Sequence, residues 1–491
     1  MTFRELQGLL FVSGIFLIAF SVTMLFPAIV EFRTGGADGM TFIIIAIITA
    51  FSGGLFVISN DHKNFTLTRK QTFMLTAISW CFLSFFGALP FVASNELHVS
   101  FSDAIFETVS GITTTGSTVL SGLDHMNKGI LLWRAMLQWI GGVGIIVMAV
   151  AILPFLKVGG MQLFQTESSD RSDKVVPKAG QIANRLAVAY VVLTILCAFS
   201  YYLFSNMDGF EALVHAFTTL STGGYSTSDN SLGAFNHGAQ WVSIAFMFLG
   251  GLPFLIWVKV FQGKYSSFLK DDQVQFFIGL LCVLISFVCF YLVATGRITS
   301  FIDALRNAAF MVLTIVTTTG YGAADSNAGH YTEWGPFIVT LVFFLTFVGG
   351  CTGSTAGGFK IFRIQMSFAF AYNQLRQLIR PHGVYSIEFN GKTVTEDAIA
   401  SILLFSVAWI LTVAITTLLL GLLGLDLITA FTGASTAIAN VGPGLGNIIG
   451  PDGNFSSLPT AAKWILSVAM LLGRLEIMTL LVLLVPDFWR H

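Results

Sequence analysis

Residues 101–118 read FSDAIFETVSGITTTGST. An apolar stretch opened by an acid ends in three threonines and a glycine, too short to cross a hydrocarbon layer that needs about 20 residues. It lies between longer apolar stretches near 71–94 and 130–156, and the order long stretch, short stretch, polar turn, long stretch occurs four times. The short members are FSDAIFETVSGI, GFEALVHAFTTL, FIDALRNAAFMVLTIV and DLITAFTGASTAIA; the turns read TTTGST, STGGYS, TTTGYG and ANVGPG. Aligning Gly116, Gly224, Gly320 and Gly442 gives separations of 108, 96 and 122 residues, one structural unit each. Asp103 and Glu211 both stand 13 residues before the aligned glycine, and Asp303 and Asp426 open the other two short stretches at slightly longer spacing.

The rest of the chain fits this frame. Its 491 residues are 55% hydrophobic and 10% charged, with a mean hydropathy of +0.79, outside the range of soluble domains. A net charge of −1 without a basic block excludes a nucleic-acid partner. The five cysteines have no CxxC spacing and no histidine cluster, so they read as fillers within the membrane, with no disulfide or zinc site. The first apolar run is too long for a signal sequence and is expected to be a retained helix. Ten long segments are expected, near 6–31, 40–59, 71–94, 130–156, 182–205, 239–262, 273–295, 334–371 (interrupted), 398–425 and 463–486.

With a cytoplasmic N-terminus and the short segments entering from outside, the inner side collects Arg4, Lys63, Arg69, Lys70, Lys157, Arg171, Lys174, Lys178, Arg185, Lys259, Lys264, Lys270, Lys360, Arg363, Arg376, Arg380, Lys392 and Arg490. The outer side keeps Arg33, Lys128, Arg134, Arg297, Arg306 and Lys463. Eighteen against six follows the positive-inside rule and places both termini in the cytoplasm. The expected fold is an all-α membrane protein, with two N-terminal helices (1–60) and four repeats (61–160, 161–265, 266–392, 393–491) around one central pore.

Backbone without regular hydrogen bonds is tolerated at membrane depth only where it is buried in protein or lines a water-filled path. Four such turns in register are expected to share one axis, where backbone carbonyls replace the hydration shell of a cation. Glycine permits the unusual φ this requires, and the partially negative C-terminal ends of the short helices favour a cation. The candidate filter is Thr114, Thr115 and Gly116; Thr222, Gly223 and Gly224; Thr318, Thr319, Gly320 and Tyr321; and Asn440, Val441 and Gly442. A single TTTG in a membrane helix would serve close packing; four at unit spacing would not. Asp103, Glu211, Asp303 and Asp426 read as helix N-caps at the outer interface, and Glu107 and His215 as buried hydrogen-bonding residues.

The stretch FVGGCTGSTAGGFK, 347–360, interrupts the third repeat alone in this reading. One helix over 334–379 would be roughly 69 Å long against about 30 Å of hydrocarbon, so it must break near the membrane middle, below the third turn. Arg474 in MLLGRLEIMT is expected at mid-span, where an unpaired Arg costs about 3 kcal/mol. Glu476 points to a different helix face, which leaves the carbonyls of the broken stretch. The candidate gate is Gly349, Gly350, Cys351, Thr352, Gly353, Ser354, Thr355, Gly357 and Gly358, held across the inner pore mouth by Arg474.

TTTGYG is similar to the potassium-channel signature, with Thr319 in place of its Val. The chain as a whole resembles the membrane subunit of bacterial Trk-type potassium uptake systems, a TrkH-like protein of the Trk, Ktr and HKT superfamily. The ordered set SWCFLSFFGALPF, FSDAIFETVSGITTTGST, WIGGVGIIVMAVAILP, TTLSTGGYST, GGCTGSTAGGFK, NVGPGLG and LLGRLEIMT carries the resemblance. It implies potassium uptake across the inner membrane, a homodimer with a pore in each subunit, a cytosolic ring of nucleotide-binding subunits that gates transport, and the same gate role for Arg474. Potassium is then the substrate, no cofactor is covalently bound, and any nucleotide sits on the partner. In plant relatives, Gly at the first-repeat filter position goes with potassium and Ser with sodium; here it is Gly116. Ser117 and NVGPG depart from the channel pattern and make the filter less regular.

Other functions fit less well. Secondary transporters with broken helices usually carry inverted repeats, whereas these four units share one orientation. The glycine-rich stretch lacks the GxxxxGK[ST] order of a phosphate loop, with Phe359 where lysine would stand, and no histidine is near to activate Cys351 or Ser354; an enzyme is not expected. One charge entering down an inside-negative potential gains about 2.3 kcal/mol per 100 mV, about fiftyfold accumulation, so proton coupling is not required. Proton symport through Glu107, Asp103 or His215 and mixed sodium and potassium passage stay open as alternatives.

Overall fold

The computed structural model describes residues 3–60, 68–151, 175–323, 329–451 and 453–490. Lys63, Lys157, Arg171 and Lys174, counted above on the inner side, lie outside the described residues, as do the side chains of Arg4, Arg69, Lys178 and Arg490. The N-terminal pair is α1 (Phe3–Thr23), continued after a break at Met24 by α2 (Leu25–Thr34), and α3 (Gly39–Ser59). Pro27 in the first turn of α2 has no N–H to continue the ladder, which accounts for the interruption. Gly14 and Gly53 let α1 and α3 meet backbone to backbone: a Cβ on either would stand 2.7 Å from the carbonyl oxygen of the other.

The first repeat consists of α4 (Arg69–Val92), the short α5 (Phe101–Ile112) and α6 (Lys128–Ala151). The second has α7 (Val175–Phe204), the short α8 (Gly209–Leu220), and α9 (His237–Gly250) followed by α10 (Phe254–Phe261); α11 (Ser266–Lys270) leads onward. The third has α12 (Asp272–Ala294), the short α13 (Phe301–Val316), α14 (Pro336–Leu345) and α15 (Ile361–Ile379). The fourth has α16 (Glu396–Leu422), the short α17 (Leu427–Ala439), α18 (Thr460–Arg474) and α19 (Ile477–Leu481). Between the third and fourth, Glu388–Phe389 and Lys392–Thr393 form a small antiparallel hairpin, the one sheet among the described residues; Val348 and Phe359 form an isolated bridge.

Seven helices among the described residues are long and apolar enough to cross a membrane, and two bent pairs would each make one more. Those pairs correct the sequence reading, which ran straight helices over 239–262 and 463–486. α9 and α10 meet at 94°, because Pro253 cannot continue the helix after Gly250 and Gly251. α18 and α19 meet at 110°, with Glu476 at φ 60° in the joint. The third repeat is therefore not alone in being interrupted, and Arg474 ends a helix rather than sitting in mid-span. Of the cysteines, Cys197, Cys289 and Cys351 are buried, whereas Cys81 and Cys282 stand at the surface of the long apolar helices α4 and α12.

The four short helices are buried and capped. Ser100, Asp208, Ser300 and Asp426 accept from the backbone N–H three residues on. Of the four acids read as caps, only Asp426 is one; Asp103, Glu211 and Asp303 stand at the third helical position, and Glu211 closes a capping box with Asp208. Although partial burial opposes its charge, Asp208 is held below the usual carboxylate range by the Glu211 N–H and the Lys128 ammonium. Asp103 also pairs with Lys463 at 2.5 Å, tying the first short helix to the fourth repeat. Gly53→Leu is expected to cost about 1–3 kcal/mol by overpacking the α1–α3 contact, read as a lowered thermal midpoint of the purified protein, while the exposed Leu55→Ala leaves it nearly unchanged.

Candidate functional site

Each short helix ends the same way. The N–H of the second residue before the aligned glycine bonds three residues back, and the next N–H bonds five residues back. The pairs are Thr114 to Gly111 and Thr115 to Ser110, Thr222 to Thr219 and Gly223 to Thr218, Thr318 to Ile315 and Thr319 to Thr314, and Asn440 to Ala437 and Val441 to Thr436. This is the Schellman helix ending, whose left-handed position usually holds glycine. Here Thr114, Thr222, Thr318 and Asn440 hold it, at φ 52°, 53°, 56° and 54°. Three β-branched residues in that region are strained by about 1–3 kcal/mol each, a cost found where a structure clamps a ligand.

Two residues further, Gly116, Gly224, Gly320 and Gly442 also have positive φ. Alternation in the sign of φ turns the peptide N–H groups of each turn toward its own helix and the carbonyls to the opposite side. The turns then meet in a closed order. A Cβ on Gly116 would stand 2.2 Å from the Gly223 oxygen, on Gly224 1.9 Å from that of Thr319, on Gly320 1.9 Å from that of Val441, and on Gly442 2.7 Å from that of Thr115. First touches second, second third, third fourth, and fourth first. All thirteen candidate filter residues thus fall in one ring; ten are buried, and Gly116, Gly224 and Gly320 are partly exposed. Among the described residues no hydrogen bond reaches the carbonyls of Thr115, Thr319 and Val441, whereas Gly223 O accepts from Gln138 Nε2 at 2.6 Å.

Behind the ring, Glu107 accepts from Arg134 Nε at 2.8 Å and from the Val119 N–H at 2.9 Å. Arg134, assigned above to an outer loop, is 1% exposed, and its guanidinium lies 4.1 Å from the Tyr225 ring centre. His215 has both ring nitrogens occupied, Nδ1 by Glu211 O at 2.8 Å and Nε2 by Ser226 Oγ at 2.9 Å. Both residues have the structural role expected of them.

The stretch 346–360 leaves the helix after α14, about 15 Å into the layer at 1.5 Å per residue. Its neck is closed by Gly349 N to Phe359 O at 2.9 Å. Its peptide groups are satisfied by the break in the second repeat: the N–H groups of Cys351 and Thr355 donate to Gly251 O and Gly250 O, and the Phe254 N–H donates to Gly353 O. The proline-induced break frees the carbonyls that the loop needs. From the inner side the loop also touches the ring: the Gly357 N–H donates to Thr318 Oγ1 at 2.6 Å, and Thr222 Oγ1 lies 3.3 Å from Thr355 Oγ1. Arg474 Nη2 donates to Thr355 O at 2.8 Å, while Glu476 pairs with Arg363 at 2.5 Å.

Sequence reasoning missed Lys360, whose ammonium bonds the Ala356 carbonyl and which faces, with Arg363, Arg474 and Glu476, a cavity of about 50 Å³ under the loop. It also missed Gln138 and the break in the second repeat. A signal was present, since IGG (140–142), LGG (249–251), VGG (348–350) and LGR (472–474) stand at equivalent places in the four repeats. The glycines let the inner helix approach the end of the short one: a Cβ on Gly141 would stand 1.9 Å from Ile112 O, and on Gly473 2.0 Å from Ile438 O.

Comparison with known proteins follows the same lines. Residues 38–490 match the family described as TrkH, cation transport protein. The chain is 44% identical over its full length to the Trk system potassium uptake protein TrkI of Halomonas elongata, covering 98% of that protein. It is 36% identical to TrkH of Escherichia coli K12 over 98% of both chains. The crystal structure of the potassium transporter TrkH from Vibrio parahaemolyticus superposes with a TM-score of 0.90, at 34% identity and full coverage of both chains. Gly224→Ala, which sets a methyl group against a backbone oxygen, is expected to lower rubidium uptake by at least about tenfold, the equivalent of one 1.4 kcal/mol loss at the ring, in protein that is still made and inserted.

Proposed function

The chain belongs to the TrkH family of cation transport proteins, and we propose that it takes up potassium through the ring of four turns. It is a multi-pass membrane transporter of a bacterial Trk system, and its relatives are named as transporters, not enzymes. The observation that supports the potassium reading is the set of carbonyls at Thr115, Thr319 and Val441, which no hydrogen bond reaches among the described residues and which lie in the closed ring of four turns. A dehydrated monovalent cation supplies the missing partner. The remaining candidate filter residues set the turn: Thr114, Thr222, Thr318 and Asn440 by their left-handed backbone, the glycines by close approach, and Tyr321 by its hydroxyl.

Residues 349–358 act as the gate, latched by Arg474 on Thr355 and by Lys360 on Ala356. Arg474, which lines the cavity under the loop, also repels a cation while the loop stays in place. The units 61–160, 161–265, 266–392 and 393–491 form the quarters of the pore. The resemblance that places the chain in the family supports the rest: a homodimer in the inner membrane, one pore per subunit, termini in the cytoplasm, and a cytosolic ring of nucleotide-binding subunits that carries any nucleotide and moves the gate. Glu107 and His215 are taken up by structural partners, which speaks against a proton path through them.

In a potassium-uptake-deficient bacterium supplied with the partner subunits, the chain is expected to restore growth at low external potassium and Gly116→Ser to impair it; failure of the parent sinks the reading. Removing a hydrogen bond from a charged donor alters an equilibrium by about 1.5–3 kcal/mol. Arg474→Met is therefore expected to raise basal rubidium flux in vesicles at least about tenfold, and shortening 351–355 to do the same. Unchanged flux in folded, dimeric protein removes the gate.

A further inference from the structure

In three of the four repeats the residue after the ring glycine ties its turn to the preceding repeat. Tyr225 Oη donates to Glu107 O at 3.0 Å or Ser117 O at 3.1 Å, joining the second repeat to the first. Tyr321 Oη lies 2.6 Å from Thr218 Oγ1 and 2.9 Å from Thr219 Oγ1, joining the third to the second. Ser117 Oγ donates to Gly442 O at 2.9 Å, joining the first to the fourth. The equivalent residue of the fourth repeat is Pro443, which has no hydroxyl and no N–H. Among the described residues no hydrogen bond joins the turn 439–444 to the turn 317–322.

The same seam is underfilled. A cavity of about 10 Å³, bounded by Ile315, Val342, Thr436, Pro443 and Leu445, lies there, and the buried Thr436 hydroxyl in its wall has no partner. At the first-second and second-third seams the residue after the ring glycine is a tyrosine, Tyr225 or Tyr321, whereas here it is Pro443, and the cavity is lined on its third-repeat side by Tyr331. Ion choice by carbonyls depends on how firmly they are held at the spacing one ion requires and how much they resist contracting onto a smaller one. Three seams resist contraction through hydrogen bonds; at the fourth, Gly320 meets Val441 O and the Pro443 ring in van der Waals contact, with no hydrogen bond between the two turns among the described residues.

We infer that Pro443 makes the seam between the third and fourth repeats the yielding quarter of the filter, and that this residue sets how poorly the transporter rejects sodium. The inference rests on the ring being the filter. The potassium ion would meet three fixed carbonyl positions and one that moves.

The test is rubidium uptake by purified protein in lipid vesicles, with sodium and potassium as competitors. The readout is the ratio of sodium to potassium concentrations that halve uptake. Ser117→Ala, Tyr225→Phe and Tyr321→Phe each open a closed seam and are expected to lower the ratio by about two- to tenfold, the range for one net hydrogen bond. Pro443→Ser supplies a hydroxyl where the first repeat has one and is expected to raise the ratio by a similar factor. An unchanged or lower ratio in folded Pro443→Ser overturns the inference. Should that variant fail to fold, Ser117→Ala decides: it removes one hydroxyl, and an unchanged ratio overturns the claim that seam bonding sets selectivity. If Gly116→Ser also leaves the ratio unaltered, the ring itself is not the filter.

Discussion

Peptide groups that leave a helix inside the hydrocarbon layer must find partners in protein or enclosed water, and the architecture of this chain follows from meeting that demand repeatedly. Four short helices stop at membrane depth. Their turns satisfy their N–H groups on the helix just left, which leaves the carbonyls to be satisfied elsewhere. Two pieces of irregular backbone below the ring then answer each other, the loop donating to the carbonyls released at Gly250 and Gly251. The most irregular parts of the structure are thus each other's hydrogen-bond partners.

Much of this is legible in the residues. Unit spacing, the length of the short segments and the recurrence of glycine after Thr or Asn define the repeat, because each reports a local backbone requirement. The strain at Thr114, Thr222 and Thr318 is not legible: threonine carries no sign of a left-handed conformation, and only closure of the ring imposes it. The bend after Gly251 is written in Pro253 but is hidden by the apolar residues around it, which by hydropathy read as one span. Arg134 shows the opposite failure. Charge alone places it at the surface, yet its partner Glu107 comes from the preceding short helix, and the pair is buried together behind the ring.

The symmetry of the repeats is closer at the backbone than at the side chains. φ values at the left-handed positions agree within a few degrees, whereas the residue after the ring glycine is serine in the first quarter (Ser117), tyrosine in the second and third (Tyr225, Tyr321) and proline in the fourth (Pro443). A single chain can do this, because duplicated units are free to diverge where four identical subunits could not. Gln138 is another such difference, engaging Gly223 O and the Tyr225 N–H at once.

The way the loop is held also bears on how the molecule is made. Its anchors come from three units: Gly250 and Gly251 from the second, Thr318 from the third, and Arg474 from the fourth. During synthesis the loop emerges after the second repeat that receives it, whereas Arg474, which donates to Thr355 O, follows 119 residues later in the fourth repeat. Until the fourth repeat inserts, the ring of turns lacks its fourth side and the loop lacks its contact with Arg474. Closure of the ring is coupled in this way to insertion of the fourth repeat.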